Sequence, residues 1–371
     1  MPGPAFPKNL AALMAQRREK GFLRELKHSF PAVDFSSNDY LGFSSKGLLA
    51  EQLKSAEPSL RIGSTGSRLI SGNSVLYEEL ERDVALFHHA PAALLYNSGY
   101  DANLGLLSSV PQKNDLILSD ELIHASLIDG IRLSHATSYK FRHNDLEALQ
   151  ELVLRHREKY AHIYVVVESV YSMDGDSAPL REIAALCKKY QLYLIVDEAH
   201  AIGIFGKQGR GLCEELHIEK DCFARIYTYG KAMGCHGAAI AGSVELRHFL
   251  INFSRSFIYT TAMPEHSLLA IKAAYRLLVT HSGIGALNAN IDYFNSRLSG
   301  PSVIKSRSAI HCRLIPGNRQ VQALEEDCAQ NGLFVKAIKS PTVKEGQERV
   351  RICLHAFNTR EEIDRLVQLI G

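Results

Sequence analysis

Short, fully apolar runs punctuate the chain and alternate with amphipathic stretches. His-Ile-Tyr-Val-Val-Val-Glu, from His162 to Glu168, is rich in β-branched residues with no polar alternation, which predicts a strand buried on both faces. Tyr193 to Asp197, Cys222 to Tyr227 and Ala238 to Ala241 repeat the pattern, as do Ala92 to Tyr96 and Asp115 to Ser119. Helical periodicity fills the gaps at Val75 to His88, Tyr100 to Ser109, after His124, and at Leu180 to Tyr190. This alternation predicts an α/β protein with a mostly parallel central sheet. Beyond a long helical region, Pro264 to Leu298, the pattern changes. Strands are expected at Ser308 to Ile315, Leu333 to Ile338 and Val350 to Leu354, with helices at Val321 to Gln330 and Thr359 to Ile370. The expected organisation is an N-terminal arm over 1–43, a large domain over 44–281 and a smaller C-terminal α+β domain over 282–371. The arm carries a basic amphipathic helix, Asn9 to Leu26, and a short strand near Val33 to Phe35.

Composition narrows the class. In 371 residues, 46% are hydrophobic and 22% charged, an ordinary globular balance, and the net charge of +2 gives no reason to expect nucleic acid or an anionic membrane as partner. No run of 18 apolar residues predicts a membrane span, and Met1 to Lys20 makes a poor signal peptide. Seven cysteines without a Cys-x-x-Cys pair argue against a disulfide framework or a zinc site and suit a reducing cytoplasm.

The chemistry sits at two strand ends. Asp197 closes the apolar run Tyr193 to Val196, where open α/β sheets place ligands. Lys231 follows the next run, in Thr228-Tyr229-Gly230-Lys231-Ala232-Met233-Gly234. Small neighbours let a bulky group approach, and low polarity disfavours the ammonium, so this lysine suits a Schiff-base amine. Alone it reads more simply as a lysine in a glycine-rich turn. Together with a strand-end acid it matches what pyridoxal 5'-phosphate (PLP) requires, an amine for its aldehyde and a carboxylate for its pyridine nitrogen. Asp197-Glu198-Ala199-His200 also spells a helicase Walker B motif, but the chain has no Gly-Lys-Ser/Thr and so no P-loop.

Several stretches fit one family in order and spacing. They are Ser36 to Gly42, Asn97 to Asn103, Ser119 to Ser126, Glu168 to Asp176, Asp197 to His200, Thr228 to Gly237, Ala337 to Val343 and Arg349 to Arg351. By these the chain resembles the α-oxoamine synthases, fold type I PLP-dependent transferases, from about Asn38 onward. The resemblance implies that Lys231 carries PLP and that Asp197 faces its ring nitrogen. It also implies that His124 stacks on the ring and relays a proton, and that His200 meets the phenolic oxygen. Ser172, Thr228, Gly99 and Tyr100 would complete the cofactor contacts. Thr260 and Thr261 would reach the phosphate of a neighbouring subunit, so that a homodimer shares its active sites. Arg351 would grip the amino acid's carboxylate, with Thr342 and Asn38 on the substrate side. Arg24 either meets the distal carboxylate of the acyl group or is a solvated helix charge. The substrates implied are L-alanine and a pimeloyl thioester, carried on coenzyme A (pimeloyl-CoA) or acyl carrier protein (pimeloyl-ACP). A scaffold subunit that had lost catalysis would be expected to lose the lysine, and Lys231 is present. Two positions depart from the family pattern: Thr65 stands where a glycine is usual and Tyr77 near where a histidine is usual.

Overall fold

The computed structural model describes residues 5–20, 23, 26, 33–54, 62–281 and 283–371. Contacts divide the chain into two compact units, Met1–Ala32 and Val33–Gly371. In the first, the described element is an exposed helix, Lys8–Glu19, shorter than the sequence pattern predicts. Arg24 lies outside the described residues.

The second unit is built on a seven-stranded sheet. Its strands are β2 (Ala92–Tyr96), β3 (Leu116–Asp120), β4 (Thr137–Phe141), β5 (Ile163–Glu168), β6 (Tyr193–Asp197), β7 (Cys222–Thr228) and β8 (Ala238–Gly242). Their spatial order is β2-β8-β7-β6-β5-β3-β4. Strands β3 to β7 run parallel, and β8 is antiparallel to both of its neighbours, so the sheet is mostly parallel as expected. Strands β5 and β6 are buried almost throughout, which explains their unbroken apolar runs. Edge strand β4, Thr-Ser-Tyr-Lys-Phe, exposes its middle residues and so carries no apolar run.

A four-stranded sheet follows, from β9 (Val303–Ile304), β10 (Ile310–Leu314), β12 (Lys336–Ile338) and β13 (Arg349–Cys353), in the order β12-β13-β10-β9. The expected strand over Leu333 to Ile338 is two pieces, because β11 (Leu333–Phe334) turns away to pair in parallel with β1 (Val33–Asp34). That pairing ties the segment after residue 33 to the body, and Phe35, Tyr40, Leu41 and Phe43 are buried. The long helical region after Pro264 is two helices, Glu265–Thr280 and Gly283–Arg297. Among the described residues no helix is long and apolar enough to cross a membrane.

Candidate active site

Parallel strands β5, β6 and β7 end side by side, so their last residues share one edge of the sheet. Register pairs Glu168 directly with Asp197, two buried carboxylates on neighbouring strands. Asp197 is held from two sides: Oδ1 accepts the Ala199 amide at 2.9 Å and Oδ2 accepts Asn103 Nδ2 at 2.8 Å. After β7 the chain makes a compact loop, closed by Tyr229 N to Gly237 O (2.9 Å), Gly234 N to Lys231 O (2.8 Å) and Cys235 N to Tyr229 O (3.0 Å). Gly234 sits at φ +62°, where a Cβ would strike the Ser44 amide at 2.7 Å, so this turn requires glycine. The loop delivers Lys231 into the interior. Burial lowers its pKa, the Asp197 carboxylate, and Glu168 where it ionises, oppose that, and Arg351 reinforces it. The glutamate answers in the opposite sense. Burial, then the neighbouring Asp197 charge, raise the Glu168 carboxyl to about 8. At neutral pH the pair therefore holds a protonated Glu168 beside its partner Asp197.

His124 caps the helix Ala125–Leu133, its Nδ1 accepting the Ser126 amide at 3.2 Å while its own amide donates to Glu168 Oε1. Burial first, and then the Lys231 charge, lower its pKa, against the pull of Asp197. His200 follows Asp197 by one turn and is buried, and its Nδ1 lies 2.8 Å from Tyr40 Oη. That burial, with the charges of Lys231, Arg351 and His124, drives its pKa well below the usual value, so its ring is neutral. Arg351 enters from β13. Its Nε donates to Ser172 O (2.7 Å), one terminal nitrogen to Asn38 Oδ1 (3.1 Å) and the other to Cys353 Sγ (3.0 Å). Tyr40 Oη is also 3.0 Å from Asn38 Oδ1, so Asn38, Tyr40, His200, Ser172 and Arg351 form one connected group.

Gly99 and Tyr100 open the helix Gly99–Ser109, whose first amides have no carbonyl partner within the helix. A Cβ at residue 99 would stand 2.4 Å from Thr228 Oγ1, so glycine leaves the helix start and the end of β7 in direct apposition. Asn97 Nδ2 donates to Thr260 Oγ1 (3.1 Å) and Thr261 O (2.8 Å) of the same chain, adding two hydroxyl-bearing residues to this border. Amides at a helix start beside threonine hydroxyls suit a phosphate, and a half-buried lysine within the electrostatic reach of a strand-end acid suits the aldehyde and ring nitrogen of PLP. The residues fit the cofactor. Thr342 stands apart: it is exposed in the turn after β12, its amide bonded to Lys339 O at 2.9 Å, and it is not hydrogen-bonded into this group.

Some residues here escape sequence reasoning. Glu168, Tyr40, Asn103 and Ser126 act through partners distant in the chain, and only their position inside recognisable stretches hinted at them. Two histidines that no motif singles out, His88 and His143, also have specific partners. His88 is buried, stacked on Tyr227 at 3.6 Å, with Nε2 2.8 Å from Tyr275 Oη. His143 bridges Asp120 (3.0 and 3.1 Å) and Asp176 (2.8 Å). The two departures have structural consequences. Thr65 adopts φ +52°, a conformation glycine takes more readily, and Tyr77 is buried under the Arg68 guanidinium, 4.0 Å above its ring.

The family model of aminotransferase class I and II matches residues 31–370. An 8-amino-7-oxononanoate synthase of Emericella nidulans is 41% identical, covering 96% of this chain and 93% of that one. Among solved structures, the 8-amino-7-oxononanoate synthase of Francisella tularensis superposes with a TM-score of 0.75 at 30% identity, covering 91% of this chain and 96% of that one. A serine palmitoyltransferase of S. paucimobilis, solved with PLP and myriocin bound, superposes with a TM-score of 0.89 at 25% identity, covering 98% and 96%. With these likenesses spanning nearly its whole length, the chain belongs to the aminotransferase class I and II family, as a fold type I, PLP-dependent acyltransferase.

Proposed function

We propose that this enzyme condenses L-alanine with a pimeloyl thioester, releasing the thiol and CO₂ to give 8-amino-7-oxononanoate for biotin synthesis. The observation that carries the reading is the half-buried Lys231 amine within the electrostatic reach of Asp197, in a chain 41% identical to a relative of that name. PLP, when bound, supplies an electron sink for the carbanion at the amino acid's Cα. Lys231 would hold its aldehyde, Asp197 its ring nitrogen, and Gly99, Tyr100 and Thr228 its phosphate, with Ser172 bordering it and, in a homodimer, Thr260 and Thr261 reaching the phosphate of the neighbouring subunit. His124 would cover one face of the ring and His200 would meet its phenolic oxygen.

The protein's own part is proton handling and orientation. Burial lowers the Lys231 pKa and so favours the neutral amine that would take the Cα proton of alanine. Arg351 would turn a planar guanidinium to the alanine carboxylate, exchanging the contacts it makes to Ser172 O and Asn38. The new C–C bond forms at the thioester carbonyl, the thiol leaves, and the carboxylate is lost as CO₂. Asn38 and Thr342 would serve the substrate side. A second reading is a sibling such as glycine C-acetyltransferase. Superposition on a serine palmitoyltransferase at 0.89 shows how fully siblings share the fold, so shape does not separate them. Incubation with alanine or glycine against pimeloyl-CoA, pimeloyl-ACP and acetyl-CoA, read by product mass, tests the choice. Alanine and pimeloyl consumption with CO₂ release supports it; turnover of glycine and acetyl-CoA alone overturns it.

A further inference from the structure

We propose that Asn103 and Ser126 are positioning residues, a buried hydrogen-bond relay that ties the Asp197 carboxylate to the His124 ring and commits that ring to its Nε2–H tautomer. The relay has no gaps. Asn103 Nδ2 donates one hydrogen to Asp197 Oδ2 at 2.8 Å and the other to Ser126 Oγ at 3.0 Å. Ser126 Oγ, having accepted, directs its own proton to His124 Nδ1 at 2.7 Å. The Ser126 amide approaches the same nitrogen at 3.2 Å. Nδ1 has one lone pair in the ring plane and two donors facing it, so the ring proton must sit on Nε2.

The direction of the relay follows from chemistry. Reversing the Asn103 amide would set its oxygen against the Asp197 oxygen with no proton between them, so the nitrogen faces the carboxylate. Asn103 is 2% exposed and Ser126 1%, which keeps bulk solvent from competing for these hydrogen bonds. Protonating His124 would force a second N–H into the Ser126 donors. The two donors at Nδ1 thereby disfavour the imidazolium, while Asp197 keeps an acceptor engaged and Glu168 holds the His124 amide. The inference rests on the reading that Asp197 and His124 flank the cofactor. It adds that their orientations are coupled through two side chains from different helices, Gly99–Ser109 and Ala125–Leu133.

The test is long-range ¹H–¹⁵N correlation NMR of histidine-labelled protein, with and without PLP, the His124 signals being identified by their loss in His124→Asn. The expected wild-type pattern is the Nε2–H tautomer in both states. Ser126→Ala should raise the His124 titration midpoint by roughly half a pH unit or more, because a hydrogen bond to the neutral form is lost, and Ser126→Thr should restore it. An Nδ1–H tautomer in the wild type overturns the proposal, as does an unchanged midpoint in Ser126→Ala. The wild-type spectrum decides the tautomer even where a variant fails to fold. It is also independent of turnover, so absence of alanine condensation would reject the functional reading and leave this one standing.

Discussion

His143 offers the most quantitative check on the structure. Its two ring nitrogens both face carboxylates, and Asn144 adds its amide to Asp120 (2.8 Å) and its side chain to Asp176 (2.7 Å). The bridge joins the end of β3, just before His124, to the loop that carries Ser172. Burial by itself would lower the His143 pKa, but the bonds to Asp120 and Asp176 prevail and raise it to about 9. Compared with the usual value of 6.5, and at about 1.36 kcal/mol per pH unit, its protonation is linked to on the order of 3 kcal/mol of folding free energy. A raised histidine pKa contributes fully below the unfolded value, about 6.5. The contribution is lost as pH rises through about 9. Urea unfolding of wild type and His143→Gln at pH 6 and pH 10 isolates the effect, since all other titrations are common to both proteins. Wild type should lose roughly 3 kcal/mol more than the variant over that interval. Parallel losses would refute the bridge as an ion pair.

Two further outcomes follow from the site. Gly99→Ala places a methyl 2.4 Å from Thr228 Oγ1 and should cost about 1–3 kcal/mol of stability, with PLP binding weakened roughly ten-fold or more. Adding Thr228→Ala should recover the stability, and denaturation plus fluorescence titration would show otherwise if the two positions are independent. Glu168 has a raised pKa, so its unfolded form ionises from about 4.5 while the folded carboxyl stays protonated to about 8, and it costs stability increasingly across that window. Glu168→Gln should therefore gain on wild type between pH 5 and 8 in thermal or urea unfolding. Superimposable pH profiles would contradict the buried acid pair.

What the sequence made legible depended on burial and on locality. Strands β5, β6 and β7 are apolar because both faces are covered, and the acid and lysine at their ends stand out against those runs. Edge strand β4 left no trace because Ser138, Tyr139 and Lys140 face solvent. The break between β11 and β12 was hidden because pairing with Val33 is a contact across 300 residues. Lys231 and Asp197 declare themselves by local context, whereas Asn103 matters only through Asp197, 94 positions away, and Tyr40 only through His200, 160 away. His143 looks like any loop histidine until the fold sets Asp120 and Asp176 on either side of it. Arg351 is the intermediate case: an arginine in a strand is conspicuous, but its partners Ser172 and Asn38 lie 179 and 313 positions away.

The proposed function stands on Lys231 as the amine that would bind the cofactor. Borohydride reduction of the PLP-loaded enzyme, followed by peptide mass mapping, tests it directly. A pyridoxyl group is expected on the peptide containing Lys231 and none on the same peptide from Lys231→Ala. A label on another lysine, or no covalent label at saturating PLP, would contradict it.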